Sequence, residues 1–308
     1  GSGYSICEGD AVTRWREDVT RDHWGAFIYL RDVRSGGVWS AGHQPVRSKP
    51  NAYQVAFSED KADFRRTDSG ISTRMEIVVS AEDNAEVRRI SLTNNSTRTR
   101  EIELTSYAEV VLASPNADAA HQAFSNLFIE TEFVYGENAI LAHRRQRSSD
   151  DRPIWGVHVV VVEGETIGAV QYETDRGRFL GRGRTAANPI AVMEDRPLSN
   201  TTGAVLDPVF SLRRRVRIPA NQTVRCSFST AIARSREEAL ALADKYHDPN
   251  IFERELRLAW TKAQVEMTHL GIDSEEAHLF QRLAARILYS DPSLRPRPHV
   301  LALNTKSQ

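Results

Sequence analysis

Up to about residue 232, apolar and polar positions alternate with the two-residue period of β-strands. Short apolar runs interrupt the alternation, as expected where a strand is buried on both faces. Turn sequences such as Glu163-Gly-Glu165 separate neighbouring strands and indicate hairpins. The pattern therefore predicts a mainly β fold, a large antiparallel sandwich of two sheets packed face to face. The predicted strands are 53–57, 62–66, 72–80, 86–93, 100–112, 128–134, 139–143, 155–162, 167–173, 209–218 and 223–230.

Two long segments lack this alternation. The segment from Pro115 to Ser125 is rich in Ala and Asp and is predicted to be a loop. The segment from Asp175 to Val205 contains several glycines and no strand pattern in its middle. Long loops inside a domain are often functional, so the second segment is a candidate for binding.

After residue 233 the apolar spacing changes to the helical period, which predicts an α-helical linker. A capping box at Ser235–Glu238 begins a helix that ends at Tyr246. Asp248 is predicted to cap a second helix and Asp273 a third. The apolar faces predicted to pack inward are Phe252, Leu256, Trp260 and Met267 on the second helix, and Phe280, Leu283, Ala284, Ile287 and Leu288 on the third.

The segment from Asp10 to Gln44 combines aromatic and charged residues and ends in a hairpin predicted from Trp24–Leu30 and Val38–Ser40. Its first half has neither helical nor strand periodicity. Indole rings stack on sugar rings, and guanidinium groups bind hydroxyls or phosphate, so this half could face a substrate or an interface. A salt-bridged structural corner is the alternative, and composition favours it. The residues concerned are Arg14, Trp15 and Trp24, with Arg16, Glu17, Asp18, Arg21 and Asp22 beside them.

A second candidate is the run from Arg176 to Arg184, in which four arginines alternate with glycines. Glycines let backbone N–H groups approach an anion, and arginines add charge and forked donors. The spacing matches neither the P-loop nor the dinucleotide fingerprint. The arginines, Arg182 and Arg184 among them, favour an anionic or hydroxyl-rich partner. The alternative, which the sequence favours, is a solvated basic loop or one paired with Glu173, Asp175 and Glu194.

Histidine catalysis and nucleic-acid binding are weaker hypotheses. His121 and His158, together with carboxylates, could serve a general acid–base role of the aldose-epimerase kind, although both positions suit ordinary structural histidines. Alternate arginines at positions 213, 215 and 217 are predicted to form a charge-balanced, solvent-facing strand surface. Aromatic residues do not alternate with these arginines and the chain as a whole is not basic, so the strand does not indicate nucleic-acid binding.

Composition narrows the possible partners. The 308 residues include 26% charged and 40% hydrophobic positions and carry a net charge of −1, which favours neither a polyanion nor a membrane surface. No apolar run approaches the roughly 20 residues of a spanning helix. Cys7 and Cys226 suit neither a disulfide scaffold nor a zinc site, and reduced thiols fit a cytoplasmic location.

Motifs along the whole chain resemble one family. They include VTRWRED and FIYLRDV near the start, SYAEVVLASPNADAAHQAFSNLF in the middle and AWTKAQVEMTHLGI near the end. The sequence is similar to the sandwich domain of family-94 glycoside phosphorylases, formerly glycosyltransferase family 36, and to the phosphorylase-like module of cyclic β-1,2-glucan synthases. The remaining segments that carry the resemblance are 55–66, 73–96, 172–185 and 203–214.

The resemblance implies a galactose-mutarotase-like supersandwich over residues 1–232 and a helical linker over 233–296. Residues 297–308 would lead into an (α/α)₆ catalytic barrel outside this chain. The chain would then be an inactive fragment without catalytic residues of its own. Its parent would be a hexosyltransferase that phosphorolyses or synthesises β-linked glucosides with inversion.

The partners implied are a β-glucan or β-glucoside oligosaccharide, the barrel and a second copy in a homodimer. The resemblance also implies that Arg182 and Arg184 face the barrel or that second copy. Inorganic phosphate or a sugar phosphate would be the co-substrate, with no resident cofactor or metal. Other segments of the parent could attach it to the inner membrane. An autonomous sugar-binding module and a mutarotase-like epimerase are the alternatives.

Overall fold

The computed structural model describes residues 3–16, 23–146, 148, 152–288 and 292–305. Every predicted strand is present among them, and each end lies within three residues of its predicted position. The strands are β1 (Ile6–Cys7), β2 (Asp10–Thr13), β3 (Phe27–Asp32), β4 (Val38–Ser40), β5 (Ala52–Phe57), β6 (Ala62–Asp68), β7 (Ile71–Val79), β8 (Ala85–Asn94), β9 (Arg100–Ala113), β10 (Ile129–Val134), β11 (Ala139–Arg144), β12 (Trp155–Glu163), β13 (Glu165–Asp175), β14 (Gly203–Ala204), β15 (Pro208–Ile218) and β16 (Thr223–Ala233).

These strands form two antiparallel sheets, as the alternation predicts. The first sheet has seven strands in the order β1-β2-β9-β15-β13, with the hairpin β3-β4 also paired to β9. The second sheet has nine strands in the order β14-β10-β11-β12-β16-β8-β7-β6-β5. The inner faces of both sheets bury one apolar core, which includes Leu104 and Phe210 from the first sheet and Ile90 and Phe228 from the second.

The chain divides into two compact units, Gly1–Ala259 and Trp260–Gln308. In the first unit, α5 and the start of α6 cover part of the outer face of the second sheet. Tyr246 and Phe252 are buried there in one cluster with Val87, Val157 and Ala231. The helices of the chain are α1 (Pro115–Ala120), α2 (Gln122–Asn126), α3 (Arg176–Leu180), α4 (Ile190–Met193), α5 (Arg236–Tyr246), α6 (Ile251–Leu270), α7 (Ser274–Leu288) and α8 (Pro298–Leu301), with a 3₁₀ turn at Pro292–Leu294.

The prediction of two long loops was wrong, although the second segment has no strand in its middle, as expected. The segment from Pro115 to Ser125 forms α1 and most of α2, because the Ser114 hydroxyl accepts a hydrogen bond from the Ala117 N–H and Pro115 occupies the first turn. The segment from Asp175 to Val205 contains α3, α4 and β14. Short capped helices of this kind are too brief to show a helical period in the sequence.

Two packing predictions were also wrong. Trp260, placed on the inward face of the second helix, is 56% exposed. On α7, Phe280 and Leu283 are about half exposed and Ile287 is largely exposed. None of the described helices is long and apolar enough to cross a membrane.

Candidate functional site

The predicted residues of the N-terminal segment lie at one end of the first sheet. The Trp15 ring stacks on Tyr4, with centroids 5.1 Å apart and planes inclined by 10°. The Arg16 guanidinium lies 5.5 Å from the Trp24 ring centroid, and the His23 ring lies 5.0 Å from it on a tilted plane. Both indoles are half-buried, so part of each ring faces solvent. We call Tyr4, Trp15, Arg16, His23 and Trp24 the aromatic patch.

Arg14 lies underneath this patch and is only 2% exposed. Its Nε and Nη2 donate to the two oxygens of Asp118 at 2.9 and 2.7 Å, and Nη1 donates to Glu109 at 2.5 Å. A further Nη2 hydrogen bond reaches the amide oxygen of Asn126 at 3.0 Å. Burial alone would lower the pKa of Arg14, but its bonds to Asp118 and the charge of Glu109 outweigh burial and raise that pKa. Arg14 therefore occupies the structural corner that the sequence left as the alternative.

Glu109 on β9 connects this corner to the long segment after β13. Arg176 donates from Nε to Glu109 at 2.7 Å, and the Tyr107 hydroxyl donates to the same carboxylate at 3.0 Å. Burial raises the pKa of Tyr107 well above its ordinary value, so the hydroxyl stays protonated. The Glu109 carboxylate thus connects the N-terminal candidate segment with the Arg176–Arg184 segment. Sequence reasoning missed Glu109, whose only signal was an acidic residue in an otherwise apolar part of a strand.

The Arg176–Arg184 segment is anchored to the first sheet. Asp175 caps α3 by accepting from the N–H groups of Gly177 and Arg178 at 2.7 and 3.2 Å. Phe179 then packs against Tyr29 and Tyr107. Gly181 has a φ of +83°, and a Cβ there would lie 2.9 Å from Ile190, so α3 and α4 require glycine at this position.

Arg213 binds the part of the Asp175–Val205 segment that includes α4. Its Nε donates to Thr105 at 2.9 Å, Nη1 donates to the Arg196 carbonyl at 3.0 Å, and Nη2 donates to the Ala191 carbonyl. Burial lowers the pKa of Arg213 to about 10. The prediction of a solvent-facing arginine row was therefore wrong for Arg213. Arg215 and Arg217 are partly exposed, and they pair with Glu103 and Glu101.

The two arginines predicted to face a partner lie at the surface. Arg184 donates to Glu194 at 2.8 Å and is half-buried, so the pairing with Glu194 that the sequence allowed is present. Arg182 is exposed and makes no ion pair with any of the described residues. Glu17, Asp18, Arg21 and Asp22 lie outside the described residues.

The predicted histidine pair does not form a site. His158 is buried in the sandwich core, where Nε2 lies 2.8 Å from the Ser106 hydroxyl and Nδ1 lies 3.0 Å from that of Thr230. Phe210 and Phe228 stack beside the ring, and burial lowers the pKa of His158 to about 3. His121 is exposed between α1 and α2. Among the described residues no group of three or more His, Cys, Asp or Glu side chains could hold a metal.

The fold and this site define a class, a two-sheet supersandwich in which one end of a sheet carries aromatic and arginine side chains. Residues 1–249 match the sequence family described as "Glycosyl hydrolase 94, supersandwich domain". The chain therefore belongs to that family.

The relatives with similar sequences are carbohydrate enzymes. The chain is 41% identical over all 308 residues to cyclic β-(1,2)-glucan synthase NdvB of Rhizobium meliloti (strain 1021) and spans 11% of that protein. It is 28% identical over 249 residues to N,N'-diacetylchitobiose phosphorylase of Vibrio furnissii, covering 80% of this chain and 30% of that one. It is 25% identical over 227 residues to solabiose phosphorylase of Paenibacillus borealis, covering 74% and 28% respectively. The chain thus spans less than a third of the length of each relative.

Proposed function

We propose that this chain is the non-catalytic sandwich domain of a larger carbohydrate-active enzyme of the inverting glycoside phosphorylase or cyclic β-1,2-glucan synthase type. The family match over residues 1–249 carries the proposal. Catalysis would belong to an (α/α)₆ barrel elsewhere in the complete polypeptide, with inorganic phosphate or a sugar phosphate as co-substrate. The sandwich would support that barrel and contribute to the substrate site or to a homodimer.

We call the buried cluster of Arg14, Glu109, Asp118 and Asn126 the Arg14 corner. Its carboxylates are already bound by arginine, which favours a non-catalytic role for the domain. An inverting glycosidic reaction needs a carboxylic acid that is free to protonate the leaving oxygen. Glu109 and Asp118 are buried and are already bound by Arg14, and Glu109 also accepts from Arg176. Neither carboxylate is therefore free to reach a leaving oxygen. The mutarotase-like alternative gains no support, because His158 lies inside the core.

The aromatic patch is the part of the domain that we propose for substrate contact. Half-exposed indole rings offer apolar faces to sugar C–H groups, and Arg16 holds the Trp24 ring from one side. The surface arginines Arg182 and Arg184 are proposed to face the barrel or a second subunit.

Replacing Trp15 and Trp24 with alanine in the complete polypeptide tests this role. A non-catalytic contact contributes binding to ground state and transition state alike, so KM for the β-glucan should rise several-fold while kcat stays nearly constant. Tyr135→Ala is the matched control, because that ring is 76% exposed and outside the patch. An unchanged KM in the double variant would remove the patch from the proposal.

A further inference from the structure

The outer face of the second sheet carries ordered rows of polar side chains beside the part that α5 and α6 cover. Strand register places Gln54 opposite Arg65, Arg65 opposite Arg74, Arg74 opposite Ser91, and Ser91 opposite Arg225. Because opposite residues share a face, these five side chains form one row across five strands. At the strand spacing of a β-sheet the row is roughly 19 Å long.

A second row of hydroxyl groups runs beside the first. Thr67 lies opposite Ser72, Ser72 opposite Thr93, and Thr93 opposite Thr223. The Thr93 and Thr223 hydroxyls are 2.8 Å apart and exposed. The two rows line an open groove of about 790 Å³, within the roughly 300–1,000 Å³ typical of ligand sites.

The arginines of the groove are held in place by a buried acid. Asp63 is 6% exposed and accepts from Nε and Nη2 of both Arg65 and Arg74, with Nη2 distances of 2.8 and 2.7 Å. Burial alone would raise the pKa of Asp63, but these hydrogen bonds outweigh it and lower that pKa to about 2. The Nη1 groups of both arginines have no hydrogen-bond acceptor among the described residues. Each therefore keeps donors for a ligand.

This arrangement is unusual for a face that only meets solvent. Like charges directly opposite each other on neighbouring strands destabilise a sheet, and Arg65 and Arg74 are such a pair. Asp63 compensates by orienting both guanidinium groups side by side. Placing two arginines opposite each other destabilises the sheet, but it gives a ligand two guanidinium groups that can bind it together.

The charge of the groove favours a neutral ligand over a polyanion. Arg65 and Arg74 are paired with Asp63, and Arg225 lies 3.6 Å from Glu163. Deeper in the same face, Glu76 binds Arg74, Arg89 and Lys61, and Glu253 binds Arg89. Four arginines and one lysine thus meet four carboxylates, which leaves too little net charge for polyanion binding.

We propose that this groove is a second glycan-binding site, which takes a neutral oligosaccharide laid across the strands β5, β6, β7, β8 and β16. Sugar hydroxyls both donate and accept, which matches a row of arginine and amide groups beside a row of serine and threonine hydroxyls. Neither row contains an aromatic residue, although Tyr53 also lines the groove, so binding rests mainly on hydrogen bonds and is weak, in the range of about 0.1–10 mM. The inference rests on the proposed carbohydrate function and adds a site that is separate from the aromatic patch.

An NMR titration of the 308-residue chain with a linear β-1,2-linked gluco-oligosaccharide tests the proposal. The groove variant is Arg74→Gln with Arg225→Gln. Its matched control is Arg178→Gln with Arg236→Gln, which changes the net charge equally at exposed arginines outside the groove. The groove variant should bind at least tenfold more weakly, while the control retains the affinity of the parent chain. Ser91→Val leaves every ion pair intact and should weaken binding several-fold, which covers the case that the double variant fails to fold.

The other outcomes overturn the proposal. If the parent chain shows no saturable binding, or if the groove variants bind normally, the groove is not a glycan site. Loss of binding in Trp15→Ala alone would place the glycan on the aromatic patch and leave the proposed function standing. Tighter binding of inorganic phosphate, lost in the same groove variant, would show that the ligand class is anionic.

Discussion

At the residue scale, Arg14 determines how the end of the first sheet is built. It fixes Asp118 of α1, Asn126 of α2 and Glu109 of β9 around one guanidinium group. Removing one partner from a buried ionic group leaves the others uncompensated in a low dielectric, which costs far more than losing a surface pair. The segment after Asp175 depends on this corner because Arg176 shares Glu109, and the aromatic patch is connected to it through Arg16, which lies 3.7 Å from Asp118.

Arg14→Met should lower the free energy of unfolding by about 3 kcal/mol, since it leaves buried carboxylates without their central partner. Arg178→Met is the matched control. That arginine is 60% exposed and lies 3.9 Å from Asp175, so its loss should change stability by less than about 0.5 kcal/mol. Urea denaturation of both variants measures the difference. Equal effects of the two substitutions would contradict the structural role of Arg14.

His158 gives the domain a defined sensitivity to acid. Its pKa is lowered from 6.5 to about 3 in the folded state, so the unfolded chain binds the additional proton between these values. The stability associated with the neutral ring is complete above pH 6.5 and is lost progressively as the pH falls towards 3.

The matching variant is His158→Gln, which keeps a hydrogen-bonding side chain but does not titrate. Between pH 7 and pH 5 the parent chain should lose about 2 kcal/mol more stability than the variant, because one pKa unit corresponds to about 1.4 kcal/mol. Urea denaturation at the two pH values provides the comparison. Parallel losses would show that the ring does not remain neutral in the folded core.

At the scale of elements, the regular strands could be predicted from sequence and the contacts of the long segments could not. Period-two alternation located β5 to β13 because one face of each strand meets the core. The burial of Arg213 under α4 depends on carbonyl groups about 20 residues away, which no local pattern encodes. The same holds for the groove, where Arg65 and Arg74 meet only through the register of β6 and β7.

Along helix α6, residues of one apolar stripe differ in how deeply they are buried. Phe252 is fully buried, whereas Trp260 two turns later is 56% exposed. Phe252→Ala should therefore cost roughly 3–5 kcal/mol of unfolding free energy. Trp260→Ala should cost less than about 1 kcal/mol in the same chain, because little apolar area returns to water. Comparable losses from both substitutions would show that the Trp260 face is packed in solution.

At the scale of the whole molecule, the two proposed binding sites lie on different sheets. The first sheet places the Arg14 corner and the aromatic patch at one end, and the second sheet offers its polar rows on the opposite outer face. Resemblance across the whole chain predicted the family, which the match over residues 1–249 confirms. The domain boundaries at residues 232 and 296 remain predictions. By its internal contacts the chain divides into the compact units Gly1–Ala259 and Trp260–Gln308.

We propose that this chain binds glycans without transforming them. The most direct measurement is ³¹P NMR of the purified 308-residue chain incubated with β-1,2-glucan and inorganic phosphate. We predict that the phosphate signal persists and that no glucose 1-phosphate signal appears. The carboxylates of the Arg14 corner are bound by arginine and are not free to act as the catalytic acid. A glucose 1-phosphate signal that grows in proportion to the concentration of the chain would contradict the account.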